Sequence, residues 1–188
     1  MENEKKMDWT TLESEYLIRR PWLTARRDKV ALPDGRVHDE YYVLEYPDWV
    51  NVIAITAEGD YILEQQWRQG LGRVSTEICA GVVEAGEEPL EAARRELSEE
   101  TGYEGGEWEK LMVVAPNPGM MNNLCHCFVA RGVRKVTSQH LDATEDIRVF
   151  FCPRDEVFRR LQRGEFLQAM MAAPLWRHFS EVEKRSER

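Results

Sequence analysis

Between Gly81 and Tyr103 the chain reads GVVEAGEEPLEAARRELSEETGY, a stretch dense in carboxylates and interrupted by glycine. Placed on a helix at roughly 100° per residue, Glu96, Glu99 and Glu100 share one face at i, i+3 and i+4. Carboxylates set side by side repel one another. Near the C-terminal end of a helix they also oppose the dipole, which favours cations there. A bound divalent cation relieves both conflicts, and hard oxygen donors select Mg²⁺, Mn²⁺ or Ca²⁺ over zinc. Arg95 lies four residues before Glu99 and can pair with it, orienting that carboxylate. The loop ahead of the helix adds Glu87 and glycines at 81 and 86. Glycine there permits close backbone approach, so a main-chain carbonyl can join the metal's ligands. By charge pattern alone a solvated acidic face remains open, because such faces are common on exposed helices.

The elements that must position these residues follow from periodicity. Leu90, Ala93 and Leu97 form an apolar stripe beside the carboxylates, Pro89 suits the first helical turn and Gly102 the position just past the last. Upstream, YLIRR, WLTARRDKVAL and HDEYYVLEY flank the turn Pro33-Asp34-Gly35, a hairpin signal. WVNVIAIT and YILEQQWR read as strands joined by AEGD, and STEICAGVVEAGE as a short strand entering a loop. WEKLMVVAP and NLCHCFVARGV are strands around a Pro-Gly loop, EDIRVFFCP is another, and helices are expected near 154–163 and 165–180. The order predicts an α+β or α/β/α layered domain with a mixed sheet. Residues 1–14 are expected to be frayed or loosely helical. The expected divisions are an N-terminal arm over 1–45, a main domain over 46–180 and a disordered tail over 181–188. The hairpin is either a subdomain or an arm donated to a second subunit.

Composition narrows the function classes. The chain has 188 residues, enough for one full core with an appendage, and a formal net charge of −9. That charge disfavours broad binding to nucleic acid or to an anionic membrane, while a small anionic substrate can still be held by local cations. No apolar run approaches the roughly 20 residues of a membrane span, and MENEKKMDWT lacks the apolar stretch of a secretory signal, so a cytoplasmic location is expected. Cys79, Cys125, Cys127 and Cys152 form no CxxC pair or zinc spacing. In CHC at 125–127 an extended strand turns both thiols one way and His126 the other, which favours buried structural thiols.

The fixed positions Gly81, Glu87 and Arg95-Glu96-Leu97-x-Glu99-Glu100-x-Gly102 resemble the signature of the Nudix hydrolases, at that family's spacing. Tyr103 stands where an aliphatic residue is more usual. The resemblance implies an α/β/α sandwich with a mixed β-sheet and an N-terminal β-hairpin arm, and a metal-dependent hydrolase acting on the pyrophosphate bond of a nucleoside diphosphate linked to another group. It implies Glu96 and Glu100 as principal metal ligands, Glu99 as an additional one, the Ala80 carbonyl as a backbone ligand, and Glu87 and Arg95 in support. The metal would be Mg²⁺, with Mn²⁺ as an alternative.

More loosely, residues 20–180 resemble the ADP-ribose pyrophosphatase and nucleoside diphosphate sugar hydrolase branch. LEQQWRQG is similar to a strand segment whose arginine holds substrate phosphate, here Arg68. In APNPGMMNN, Pro118 lies sixteen residues after Gly102, and with Gly119 it implies a substrate loop. Asn117 and the Met-Met-Asn-Asn that follows depart from the Ser-Pro-Gly form of some members and are closer to relatives acting on other nucleotide sugars. DATEDIRVFF resembles the segment that supplies a late acid, so Glu145 is implied as metal ligand or general base, with a signature glutamate such as Glu99 as the alternative base; Ala143 stands where some members carry another glutamate, and Asp142 and His140 are local alternatives. Substrates implied are ADP-ribose or a similar sugar nucleotide such as GDP-mannose or a UDP-sugar, giving a nucleoside monophosphate and a sugar phosphate. The resemblance also implies a homodimer with exchanged N-terminal arms and an aromatic, Trp22, Tyr41 or Tyr42, stacked on the base. Coenzyme A or dinucleoside polyphosphate hydrolysis, a non-catalytic sensing domain and a purely structural acidic domain are the competing readings.

Overall fold

The computed structural model describes residues 7–186, with side chains described through Val182. It divides the chain into two compact units, one of residues 1–46 with 117–123, the other of residues 47–116 with 124–188.

In the first unit, β1 (Thr10–Arg20), β2 (Leu23–Ala31) and β3 (Val37–Glu45) form an antiparallel three-stranded sheet in that order. The expected hairpin is its β2–β3 half, closed over Pro33-Asp34-Gly35 with the Gly35 N–H donated to Leu32 O at 2.9 Å. Two expectations change. Thr10–Ser14 belong to a strand, paired with Ala31–Asp28, and not to a frayed or helical end; residues 1–6 lie outside the described residues. Segment 117–123 also joins this unit, because Leu44 N–H bonds Met120 O at 2.7 Å, the Tyr41 hydroxyl bonds Gly119 O at 2.7 Å and Tyr46 N–H bonds Asn122 Oδ1 at 3.1 Å.

The second unit is built on a mixed sheet. Its path is β11 (Ile147–Cys152), β5 (Tyr61–Arg68), β4 (Trp49–Thr56), β10 (Cys125–Lys135) and β8 (Tyr103–Glu104); β6 (Arg73–Glu77) adds to β5, β7 (Cys79–Val82) to β4 and β9 (Glu107–Val114) to β10. Among the described strands of this sheet, only β4 and β10 pair in parallel. The stretch read as one short strand from Ser75 is thus two, and its second half is drawn to β4 with Asn51 opposite Ala80 and Val50 opposite Gly81.

Alternation along the strands sends side chains to two cores. Val50, Val52, Ala54 and Ile62 meet Ala92, Ala93 and Leu97 of α1 (Pro89–Thr101). Ile53, Tyr61, Leu63 and Val129 meet Val157 and Leu161 of α2 (Arg154–Gln162) and Met171, Leu175 and Phe179 of α3 (Ala169–Ser186). This is the α+β sandwich expected, with one helix on one face and two on the other. Helix α3 continues to Ser186, so the tail expected to be disordered from Glu181 is helical over its described part.

His178 of α3 sits in the second core, 2% exposed, its Nε2 2.7 Å from the Tyr61 hydroxyl. Burial pushes its pKa down to about 4, below the ordinary 6.5. The unfolded chain therefore takes up this proton before the folded chain does. The stability that neutral His178 supports is complete above about pH 6.5 and is lost as pH falls toward about 4. Denaturant unfolding from about pH 7 to about pH 4 should show a shallower loss of stability in His178→Gln than in the native chain.

Candidate active site and metal centre

Helix α1 presents the carboxylates. Its first turn starts at Pro89 after the extended Glu88, and it stops at Gly102 in the left-handed region, φ 72°, with the Gly102 N–H on Ser98 O at 2.8 Å. A Cβ at Gly102 would fall 2.2 Å from Thr137 O, so glycine is required for both angle and space. The last-turn carbonyls, which carry the negative end of the dipole, are met by donors from outside. Lys135 Nζ bonds Thr101 O at 2.8 Å, Gln139 Nε2 bonds Glu100 O at 2.7 Å, and His140 N–H bonds Glu99 O at 2.8 Å. These bonds fasten the segment leading to Glu145 onto the end of the acidic helix.

Arg95 gathers the acids. Its Nε and Nη2 hold both oxygens of Glu87 at 3.0 Å, its Nη1 reaches Glu96 Oε1 at 2.9 Å and Glu99 Oε2 at 3.0 Å, and Nη2 also reaches Val82 O at 2.9 Å. This bidentate clamp holds Glu87 below its ordinary pKa, with the Arg95 hydrogen bonds as main cause. Glu84 N–H caps Glu87 Oε2 at 3.0 Å, closing the loop. Arg94 faces away and pairs with Glu91 at 2.7 Å.

Strand β7 supplies the other wall. Its backbone N–H groups at Ala80 and Val82 bond Glu100 Oε2 and Glu96 Oε1, both at 3.1 Å. Gly81 between them lies so close to Glu96 that a Cβ would sit 2.0 Å from its Cδ. Glu96 and Glu100 are 9% and 3% exposed, and burial raises both pKa values, that of Glu100 to about 8.

A cleft of about 310 Å³ opens here, lined by Arg68, Ala80, Glu100 and Glu145 together with Asn51 and Gln168. Glu145 is exposed, and its Oε2 accepts Asp142 N–H at 2.9 Å. Arg68 spends Nε and Nη2 on Glu77, at 2.9 and 2.5 Å, leaving Nη1 without a partner among the described residues. Glu99 stays nearly half exposed beside Arg95. Pro118 and Gly119, expected to line the substrate site, lie in the other unit, where Gly119 accepts from Tyr41. His126 is bound to Asp48 at 3.0 Å, and Cys125 and Cys127 are buried free thiols.

Two residues escaped the sequence reading, Glu64 and Glu77, and Cys79 was read only as a structural thiol. Glu64 of β5 is 3% exposed, Glu77 of β6 is 2% exposed opposite it in register, and Cys79 of β7 is fully buried. A signal for Glu64 existed: Ile62, Glu64, Gln66 and Arg68 fall on one face of β5 at period two, the face that turns to α1. The oxygen donors of Glu96, Glu99 and Glu100 fit a hard divalent cation. Carboxylates and a backbone wall converge, and Glu64 Oε1 is buried with no hydrogen-bond partner among the described residues.

Two families match the chain in sequence. The nucleoside diphosphate sugar hydrolase N-terminal domain matches residues 9–44, and the Nudix domain matches residues 46–173, most of the chain. The chain belongs to the Nudix hydrolases. Within them it falls in the nucleoside diphosphate sugar and ADP-ribose pyrophosphatase group. An ADP-ribose pyrophosphatase of Bacillus subtilis is 30% identical over 169 residues, covering 89% of this chain and 91% of that protein. A methanol dehydrogenase activator of Bacillus methanolicus is 33% identical over 159 residues, covering 84% and 85%. A GDP-mannose pyrophosphatase of Escherichia coli is 36% identical over 94 residues, 47% of each chain. The crystal structure of an ADP compounds hydrolase superposes with a TM-score of 0.84 at 20% identity, covering 97% of this chain and 98% of that one, a likeness of fold. Nudix enzymes typically depend on a divalent metal, and the N-terminal family implies nucleoside diphosphate sugar substrates.

In this Nudix hydrolase the close fit of Gly81 against Glu96 carries a direct consequence. Gly81→Ala should displace the Glu96 carboxylate and weaken divalent-cation binding by about tenfold or more in calorimetric titration.

Proposed function

We propose that this chain hydrolyses the pyrophosphate bond of a nucleoside diphosphate sugar, ADP-ribose or a close analogue such as GDP-mannose or a UDP-sugar, with Mg²⁺ as the metal. The observation that carries the reading is the meeting of Arg68, Ala80, Glu100 and Glu145 in one cleft, beside Glu96 held by Arg95. Products would be a nucleoside monophosphate and a sugar phosphate.

In this reading Glu96 and Glu100 hold the cation with the Ala80 carbonyl, Glu99 and Glu145 adding oxygen donors. When bound, the cation offsets diphosphate charge and acidifies water. Glu145 is the general base: it is exposed, on the cleft, and among the described residues its carboxylate is bonded only to a backbone amide of its own loop, so one of its oxygens can accept a proton from the attacking water. The free Nη1 edge of Arg68 binds a phosphate oxygen, while Glu77 fixes the guanidinium plane. Arg95 is a positioning residue, since its donors are spent on Glu87, Glu96, Glu99 and Val82 O. Pro118 and Gly119 belong to the substrate loop of the N-terminal unit, and Trp22, Tyr41 or Tyr42 stacks on the base.

The first unit supports a homodimer. Strand β1 is exposed at every position, including Leu12, Leu17 and Ile18, and a small sheet with so little cover is marginal alone. Exchange of these arms between two chains would cover it. The four free, buried cysteines agree with a reducing, cytoplasmic setting.

Assay of ADP-ribose, GDP-mannose, UDP-glucose and coenzyme A with Mg²⁺ should give the highest kcat/KM on one of the nucleotide sugars; preference for coenzyme A would refute the substrate class. Glu100→Gln should lower kcat by about two to three orders of magnitude with the fold retained by circular dichroism. Light scattering at micromolar concentration should give a dimer, and Leu17→Glu with Ile18→Lys should give a monomer.

A further inference from the structure

The cleft has a floor that the signature does not describe. Glu64 of β5, Cys79 of β7 and Glu100 of α1 each offer one donor atom, and these atoms lie within 4.8 Å of one another. They come from three elements far apart in sequence, and all three side chains are buried. Glu64 is the odd member. It is 3% exposed, its Oε1 meets no hydrogen-bond donor among the described residues, and its acidic neighbours are Glu100 and Glu77. Arg68, whose charge reaches Glu64, is committed to Glu77 through Nε and Nη2. A buried carboxyl with one unpartnered oxygen, packed against two other acidic side chains, is costly, and selection for packing alone would replace it with an apolar residue.

We propose that Glu64, Cys79 and Glu100 form a deep site for a divalent transition metal beneath the Glu96 face. One cation at ordinary ligand distances, about 2.0–2.3 Å, can draw all three donors in. The two oxygens suit most divalent cations, but a sulfur ligand favours the softer ones, so the site prefers Co²⁺ or Zn²⁺ to Mg²⁺. Glu100 lines the cleft and is shared with the catalytic face, which gives the ion its way in. The inference rests on the reading of Glu100 as a metal ligand, and it adds Glu64 and Cys79 to the donors that decide which metal is held.

Titration of the full-length protein with Co²⁺, followed by absorption and by calorimetry, tests it. A thiolate-to-cobalt charge-transfer band should grow to saturation, disappear in Cys79→Ala, and require roughly tenfold or more Co²⁺ in Glu64→Gln. Mg²⁺ should compete poorly for this band. Saturable Co²⁺ binding that shows no such band and is unchanged in both variants would overturn the deep site while leaving the Glu96–Glu100 centre standing. A band that persists in Cys79→Ala would also overturn it. No saturable Co²⁺ binding in the native chain would sink both.

Discussion

One guanidinium organises the centre. Arg95 reaches Glu87, Glu96 and Glu99 and the carbonyl of Val82, so a single cation on α1 holds carboxylates that would otherwise push one another apart. A lysine in its place would bring the charge without the planar fork that takes both oxygens of Glu87. The clamp does not neutralise the whole face: Glu100 receives none of its donors, and Glu64 and Glu77 add further negative charge nearby. The remaining imbalance lies where β7 and the cleft meet, which is where we propose that a divalent cation binds.

The second constraint is backbone. Strand β7 leaves the edge of β6 and pairs with β4, and this shift sets Ala80 and Val82 N–H groups against Glu100 and Glu96. The absence of a side chain at Gly81 allows the approach. At the other end of α1, Lys135, Gln139 and His140 satisfy carbonyls that an acidic last turn leaves without help of its own. Those contacts hold the segment preceding Glu145 against the helix end, and Glu145 lines the cleft together with Glu100.

The acidic helix and its limits were legible because each rests on local chemistry: period 3.6 in Leu90, Ala93 and Leu97, proline at the start, glycine past the end. Arg95 with Glu99 was legible for the same reason, being an i, i+4 pair. What the sequence hid depends on contacts between distant segments. Glu64 looked like one more polar residue in a strand until register brought Glu77 and α1 beside it. Arg68 was assigned to phosphate from its segment, but its bidentate bond to Glu77 needs the β5–β6 pairing to be seen. The Pro118 loop was read as a substrate loop from its spacing alone, and its hydrogen bonds to Tyr41, Leu44 and Tyr46 of the N-terminal unit needed the structure to be seen. The N-terminal strand was missed because Thr10–Ser14 is polar and lacks the alternation of a half-buried strand.

Everything proposed for catalysis requires that the carboxylates gathered by Arg95 bind a divalent cation. Calorimetric titration of the native chain with Mg²⁺, beside a Glu96→Gln, Glu100→Gln double variant of intact fold, measures that requirement directly. Saturable binding in the native chain that is abolished in the double variant is the predicted result. Binding that never saturates, or that is equal in the two proteins, would contradict it.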